Sequence, residues 1–590
     1  MPNTFSISGL ANVLYIDLSN ETSKVVERQD LHDKYLGGTG VATMLMNEGS
    51  KEGTDALDPV SPVVLSIGPL SGIFPCCTKV VSVFRSPLTG EFGESHAGGR
   101  LAMAMRFAGY SSIVITGRAK RPVYISIHNN DIAFKDASSI WGLSSTTDIG
   151  KILRNVEPNI GKRSIIRIGT AGENGVRYAS VNVDTYRHFG RLGLGAVFGA
   201  KNLKAIVVSG DGEIEIPDKS TYSNTYKKIF SNIVETDLMD KYHDLGTTEN
   251  ILPLNELNGL PTRNLQQTSF EYAETISGEN FADNYLVRKI SCAHCPIGCI
   301  HIAMLKTLFA PLHEYEVKHI SYDYELVYAL GTNLGILTPE SVLELIDRCE
   351  QYGVDIISMG GVLAWATEMS MHKRFTTGET MNVSLKWGDV TNYLRAIDLI
   401  IESPNEFYSA LAKGVVFASR KYGGDDFALH AGGLEIPGYH TGVGNLVGLT
   451  VGVRHSHVDN GGYSIDQKAF KNNLSDKEIV DLLIFEDDIR GVLNSLTICL
   501  FARGIYTYDT IIEALAAIGI ERSEEELIEL GRDIFMKKYE LKRKFGFDLD
   551  DVRFPSRFFE TASTNGMIDE ARVQNVLSMY KDRRWSTGKT

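Results

Sequence analysis

The chain lacks any stretch approaching the ~20 consecutive apolar residues that cross a bilayer. Its opening, MPNTFSISGLANVLYIDLSN, also lacks the basic start and apolar run of a secretion signal. No membrane span is expected, and a cytoplasmic location is. Seven cysteines in 590 residues are too few for an extracellular disulfide framework. Positive charge is short as well: 59 Lys and Arg against 73 Asp and Glu leave a net charge of −14, which argues against nucleic acid as a partner. One basic run, Lys537, Lys538, Lys542, Arg543 and Lys544, reads as a solvated helix face, with docking of an acidic partner as the second reading. Repeats of roughly 20 to 50 residues and low-complexity tracts are missing, so solenoids and long disordered linkers are set aside.

What the chain does have is ordinary globular composition, 43% hydrophobic and 22% charged, with an excess of glycine at 56 residues. Tight turns, or backbone running close to a ligand, account for such an excess. The length exceeds what one core can fill, since single cores stop growing near roughly 250 to 300 residues. Apolar or alternating runs at NVLYIDL, VVLSIG, KVVSVF, SIVITG, VYISI, SIIRIG, VRYASVNV and KAIVVSG predict strands, and GRLAMAMRFAGY predicts a helix among them. Beyond GDGEIEIPDKS the pattern turns to helical periods with clear starts: Thr338 before Pro339, and capping-box spacing at Ser475 to Glu478 and Ser523 to Glu526. The fold expected is α+β, with a β-rich domain over residues 1–210 followed by mainly helical domains over 211–422 and 423–590.

The stretch ISCAHCPIGCIHI places Cys292, Cys295 and Cys299 within one loop and turn. A [4Fe-4S] cluster takes four thiolates, whereas structural zinc usually shows a second CxxC or HxxxH pair nearby. His294 or His301 could complete a zinc site, so spacing leaves both metals open. The remaining cysteines are Cys76, Cys77, Cys349 and Cys499. Cys76 and Cys77 are adjacent and poorly suited to ligate one centre together, and Cys349 in ELIDRCEQYG reads as a buried small hydrophobe in a helix.

CAHCPIGC is similar to the cluster motif of the tungsten-containing aldehyde:ferredoxin oxidoreductases, and the similarity extends over roughly residues 8 to 550. GPLSG, then RSPLTGEFGESHAGGRLAMAMRFAGYSSIVITGRA, resembles that family's first pterin-binding stretch; IGTAGENGVRYASVNVD, then GRLGLGAVFGAKNLKAIVV, resembles its second. GLPTRNLQQTSFEYAETISGE precedes the cysteines, and YELVYALGTNLGI, YGVDIISMG, LEIPGY and NSLTICLF follow in family order. The resemblance implies a pterin-binding β base under two helical domains that close over tungsten or molybdenum, held by the dithiolenes of two pyranopterins. It implies a [4Fe-4S] cluster whose fourth ligand, in the position of the family's D-x-x-G-L-C motif, is Cys499. Contacts to the pterin phosphates and to a bridging Mg2+ fall on Ser95, His96, Ala97 and Gly98, with histidine where the family has asparagine. The second stretch supplies Arg187, His188, Phe189 and Gly190, with Arg191 and Gly193 close behind. Lys79 stands where the family has an arginine between pterin and cluster. The two acidic pterin clamps correspond to Asp355 and to the neutral Asn494, and Ile498 lies beside them in NSLTIC.

By the same resemblance, a histidine of GVRHSHVDNGGY lies near the metal, His457 first and His455 second. HEYEVKHISYDYE supplies the carboxylate, with Glu325 aligned to the family's PEYE and Glu316 nearer a variable loop. A carboxylate and a histidine beside a buried metal can serve as acid and base. The reaction implied is oxidation of an aldehyde to its acid, with electrons leaving for ferredoxin or an iron–sulfur small subunit. The alternative is the catalytic subunit of a benzoyl-coenzyme A reductase-type enzyme, reducing an aromatic acyl-CoA. A homodimer or a larger hetero-oligomer is the assembly expected.

Overall fold

The computed structural model describes residues 10–585 except 52, 159, 160, 311 and 313. The first nine residues of the expected first domain, and His313 of HEYEVKHISYDYE, lie outside the described residues.

The N-terminal part builds two six-stranded sheets. Strands β1 (Asn12–Asp17), β2 (Thr22–Glu27), β3 (Val63–Ser66), β4 (Val80–Arg85), β5 (Phe92–Ala97) and β6 (Ser112–Thr116) form the first, in the order β2-β1-β6-β3-β4-β5. Strands β7 (Val123–His128), β8 (Asp131–Asp136), β9 (Lys162–Arg167), β10 (Val181–Val183), β11 (Arg187–Phe189) and β12 (Leu203–Gly210) form the second, in the order β11-β10-β9-β12-β7-β8. Only β1/β6 and β7/β12 run parallel among these neighbours. The strands predicted at NVLYIDL through KAIVVSG are present, though VRYASVNV is extended only over its last three residues.

Alternation decides how the sheets stack. In β3, Val63 and Leu65 enter the core shared with the second sheet and the helix Leu101–Phe107, while Val64 turns to the opposite face. There the first sheet is covered by the helix Gly38–Gly49 and by C-terminal helices that include Asp476–Ser495 and Glu524–Lys544. A sheet buried on both faces needs continuous apolar runs, and VVLS is buried at every position. A third core gathers helices between Ile251 and Leu411, among them Pro339–Tyr352 and Ile356–Met371. Thr338 caps the helix Pro339–Tyr352, and the capping boxes at Ser475 and Ser523 both form.

One expectation of the middle region needs correction. It contains a three-stranded antiparallel sheet, β13 (Leu286–Ile290), β14 (Ile300–Ala310) and β15 (Glu314–Tyr322), within a segment read as mainly helical. The cysteine loop is the connection between β13 and β14. Among the described residues no helix is long and apolar enough to cross a membrane.

Candidate active site

A cavity of about 370 Å3 opens where β4, β5 and the turn after β11 meet three helix ends. The starts of helices Tyr324–Leu330 and Ile356–Met371 face the end of Asp476–Ser495 across it. Lys79, Ser95, His96, Gly190, Glu325, Asp355, His457, Asn494, Ile498 and Cys499 all line it. Residues some 400 positions apart in sequence therefore share one wall. Close backbone approach makes this possible: a Cβ on Gly38, whose φ is +41°, would sit 2.2 Å from the Asn494 carbonyl oxygen.

Glu325 and His457 form the chemically poised pair. Glu325 Oε1 stands 3.4 Å from His457 Nε2, and Glu325 Oε2 accepts from the Gly438 N–H at 3.0 Å. The 16% and 14% of their side-chain surface that stays accessible belongs to the cavity wall. Burial, reinforced by Asp323 and Asp355, raises the Glu325 carboxyl to about 8. Burial, with Arg191 and Arg490 nearby, lowers His457 to about 3. Both forces favour the uncharged forms, so near neutral pH the pair is a carboxylic acid beside a neutral imidazole. Asp355 caps its helix, accepting from the N–H groups of Ile357 and Ser358 and from the Ser358 hydroxyl, and meets Arg191 Nε at 3.3 Å.

Glu94 and Arg454 also line the cavity, and Lys538, Thr39 and Glu91 lie behind them; the sequence reading assigned none of these to the site. Glu94, 2% exposed, accepts from the Thr39 hydroxyl and pairs with Lys538 at 2.7 Å, His96 at 2.8 Å and Arg454 at 3.6 Å. Burial alone would raise its pKa, but Lys538, Arg454 and His96 outweigh it and hold the carboxyl well below the usual range. Burial also lowers His96 to about 4, although Glu94 opposes the shift. One turn along the helix, Lys542 donates to His455 Nε2 at 2.7 Å and lies 3.3 Å from Glu91. His455 Nδ1 faces the Leu449 carbonyl at 2.9 Å, so both ring nitrogens are committed.

These contacts correct several expectations. Lys538 and Lys542 are buried ion-pair partners rather than a solvated helix face or a docking patch. His455 lies outside the cavity lining, with its two ring nitrogens engaged by Lys542 and the Leu449 carbonyl. Glu316 sits on the exposed part of β15, 3.7 Å from Lys318, away from the cavity. Ala97 and Phe189 point into the core between the sheets, and His188 pairs with Glu350 at 2.5 Å. A signal for the lysines was present: Lys538 and Lys542 are four apart, on the helix face that also buries Phe535 and Tyr539.

The cysteines gather around Lys79, with Cys499 beside it on the cavity wall. A Cβ on Gly98 would lie 2.6 Å from Cys292 Sγ and 3.4 Å from Lys79 Nζ. Burial would lower the Lys79 pKa, but Cys499, Cys292 and Cys299 outweigh it and raise it, while Cys295 feels the same ammonium. A single tetrahedral zinc with 2.3 Å bonds needs sulfurs roughly 3.8 Å apart. Among the described residues no three His, Cys, Asp or Glu side chains close on one ion. His301 is committed to the His243 carbonyl at 3.0 Å, and His294 packs on Tyr226.

The cavity also holds buried polar atoms that make no hydrogen bond: Glu325 Oε1, 3.4 Å from His457 Nε2 but not bonded to it, His457 Nδ1 and Arg191 Nη1, with Arg187 Nε close by. A Cβ at Gly190 would meet nothing within 4 Å, leaving bare backbone on the wall. Unpaired donors, an unpaired acceptor and bare backbone suit a large polar cofactor.

Residues 13–210 match the family described as "Aldehyde ferredoxin oxidoreductase, N-terminal domain", and residues 224–590 match "Aldehyde ferredoxin oxidoreductase, domains 2 & 3". The chain belongs to the aldehyde ferredoxin oxidoreductase family. It is 33% identical to the tungsten-containing aldehyde ferredoxin oxidoreductase of Pyrococcus furiosus, covering 97% of this chain and 95% of that protein. It is 31% identical to the enzyme of the same name from Thermococcus kodakarensis, covering 97% and 96%. The active-site complex BamBC of benzoyl coenzyme A reductase, solved with 1,5-dienoyl-CoA, superposes with a TM-score of 0.81 at 19% identity, over 98% of this chain and 94% of that one. At that identity the likeness is one of fold. As a member of the aldehyde ferredoxin oxidoreductase family, the chain is an oxidoreductase.

Proposed function

We propose that the chain oxidises an aldehyde to its carboxylic acid and passes the electrons on singly. The balance is RCHO + H2O → RCOOH + 2 H+ + 2 e−. A tungsten (or molybdenum) bis-pyranopterin in the cavity supplies the two-electron acceptor. Ser95, Gly190, Asp355, Asn494 and Ile498 line the space for it, and Arg191 and Arg187 offer unpaired guanidinium donors to phosphate. His96 Nε2 is committed to Glu94, which leaves Nδ1 as the ring atom available to a Mg2+ at the pterin phosphates.

The observation that carries the proposal is the Glu325–His457 pair. As a protonated acid beside a neutral base, the pair can take up a proton at the imidazole while Oε1 releases one, so that each charge formed faces its counter-charge 3.4 Å away. Cys292, Cys295, Cys299 and Cys499 would hold a [4Fe-4S] cluster, which would supply one-electron transfer next to the cavity that Cys499 and Lys79 line. Beside Cys292 a groove of about 600 Å3 is lined by Arg100, Arg187, Arg288 and His319 against the single acid Asp184. Such a groove suits an acidic one-electron carrier of the ferredoxin kind. The purified holoenzyme is assayed for aldehyde-dependent viologen reduction beside acyl-coenzyme A-dependent viologen oxidation. Aldehyde turnover is expected; acyl-CoA turnover with no aldehyde activity overturns the proposal.

A further inference from the structure

Cys76 is the one other cysteine with its sulfur against the expected cluster ligands. Its Sγ lies 3.6 Å from Cys295 Sγ, hydrogen-bond length for two sulfurs, and the residue is 0% exposed. Its backbone ties the two ligand segments together: the Cys76 N–H donates to the His294 carbonyl at 3.1 Å, and the Cys76 carbonyl accepts from the Cys499 N–H at 2.9 Å. Cys76 holds a left-handed φ of +63°, which L side chains rarely adopt. His294 and Thr497, beside the ligands, are left-handed too, at +66° and +56°. Strained backbone concentrated where two loops meet marks a functional constraint. Cys77 is turned the other way, its thiol 3.6 Å from the Tyr506 hydroxyl. The adjacent pair is thus divided, one thiol facing the ligands and the other facing the core.

We infer that Cys76 is a fifth, non-ligating thiol of the iron–sulfur site, which donates an S–H···S hydrogen bond to the ligating sulfur of Cys295 and raises the reduction potential of the cluster. This rests on the proposed cluster at Cys292, Cys295, Cys299 and Cys499. A metal-bound thiolate has given up its proton, so the proton shared by the two sulfurs resides on Cys76. A hydrogen bond to a cluster sulfur draws charge from it and favours the reduced, more negative state. No bond forms or breaks, and no co-reactant is needed.

The test compares the wild-type holoenzyme with Cys76→Ala, Cys76→Ser and Cys295→Ala by iron analysis and EPR-monitored redox titration. The expected result is a full iron complement in wild type, Cys76→Ala and Cys76→Ser, and its loss in Cys295→Ala. The midpoint potential should drop in Cys76→Ala and return most of the way in Cys76→Ser, whose hydroxyl still donates. An exchangeable-proton coupling to the reduced cluster should be present in wild type and absent in Cys76→Ala. A full iron complement with an unchanged potential in Cys76→Ala overturns the inference. So does loss of iron in Cys76→Ala with retention in Cys295→Ala, which would make Cys76 the ligand. If Cys76→Ala fails to fold, Cys76→Ser with no exchangeable coupling and a wild-type potential overturns it as well. Wild-type protein without iron sinks the cluster proposal itself, which separates that failure from this one.

Discussion

Glu325 and His457 sit 3.4 Å apart and are pushed in opposite directions by one cause, loss of water. If Glu325 must hold its proton for turnover, the rate should fall as pH rises through about 8. Glu325→Gln should lower kcat/KM by about 100- to 10,000-fold, the usual span for a general acid or base, with tungsten and iron content unchanged. Glu316→Gln, on the exposed hairpin, should leave kcat/KM unaltered. The same shift has a consequence for stability. The folded carboxyl, at about 8 against an ordinary 4.5, keeps a proton that the unfolded chain has lost between those values. The contribution of Glu325 to stability therefore declines as pH rises from 4.5 to about 8 and is level above. Thermal melts of wild type and Glu325→Gln across that window measure it: the variant should lack this part of the slope.

The helix Glu524–Lys544 is the strut behind the site, and its lysines cross the core to reach β5. Removing one partner of a buried pair costs about 3 to 5 kcal/mol when the other is left alone; Glu94 keeps Arg454 and His96 when Lys538 is lost, which sets the cost at the lower end. Lys538→Met should cost that much in a denaturant or thermal melt, and adding Glu94→Gln should restore most of it. Because the Glu94 carboxyl is held well below the ordinary 4.5, this pairing contributes fully above 4.5 and is lost only as pH falls toward the depressed value. This helix also shows where the sequence stops informing. Its capping box at Ser523 and Glu526 was legible, but the run of lysines suggested solvent, since charge alone does not reveal which face a neighbour covers. The hairpin β14–β15 was missed for a related reason: its exposed end lacks the half-buried alternation that announces a strand. Eight of the twelve strands in the first two sheets were legible, since buried strands leave long apolar runs; the four edge strands β2, β5, β8 and β11 were not, and β2 and β8 are largely exposed. The remote member of the cysteine set, Cys499, was visible only through resemblance, as no spacing rule spans 200 residues.

At the scale of the molecule, the first two sheets and three cores bring the cavity and the cysteines together at Lys79, and a basic groove lies beside Cys292 on a chain whose net charge is −14. Local charge opposite to the whole favours oriented docking of an acidic carrier. Arg288→Glu should slow electron delivery to such a carrier by about 10-fold at low ionic strength, less at high salt, while leaving viologen reduction unchanged; stopped-flow rates across a salt series measure this. The central claim, that one cavity and one thiol set hold a metallopterin and an iron–sulfur cluster, is tested most directly by metal analysis of the purified chain. About one tungsten or molybdenum and about four irons per chain are predicted. Zinc in place of iron, with neither tungsten nor molybdenum, would contradict the account.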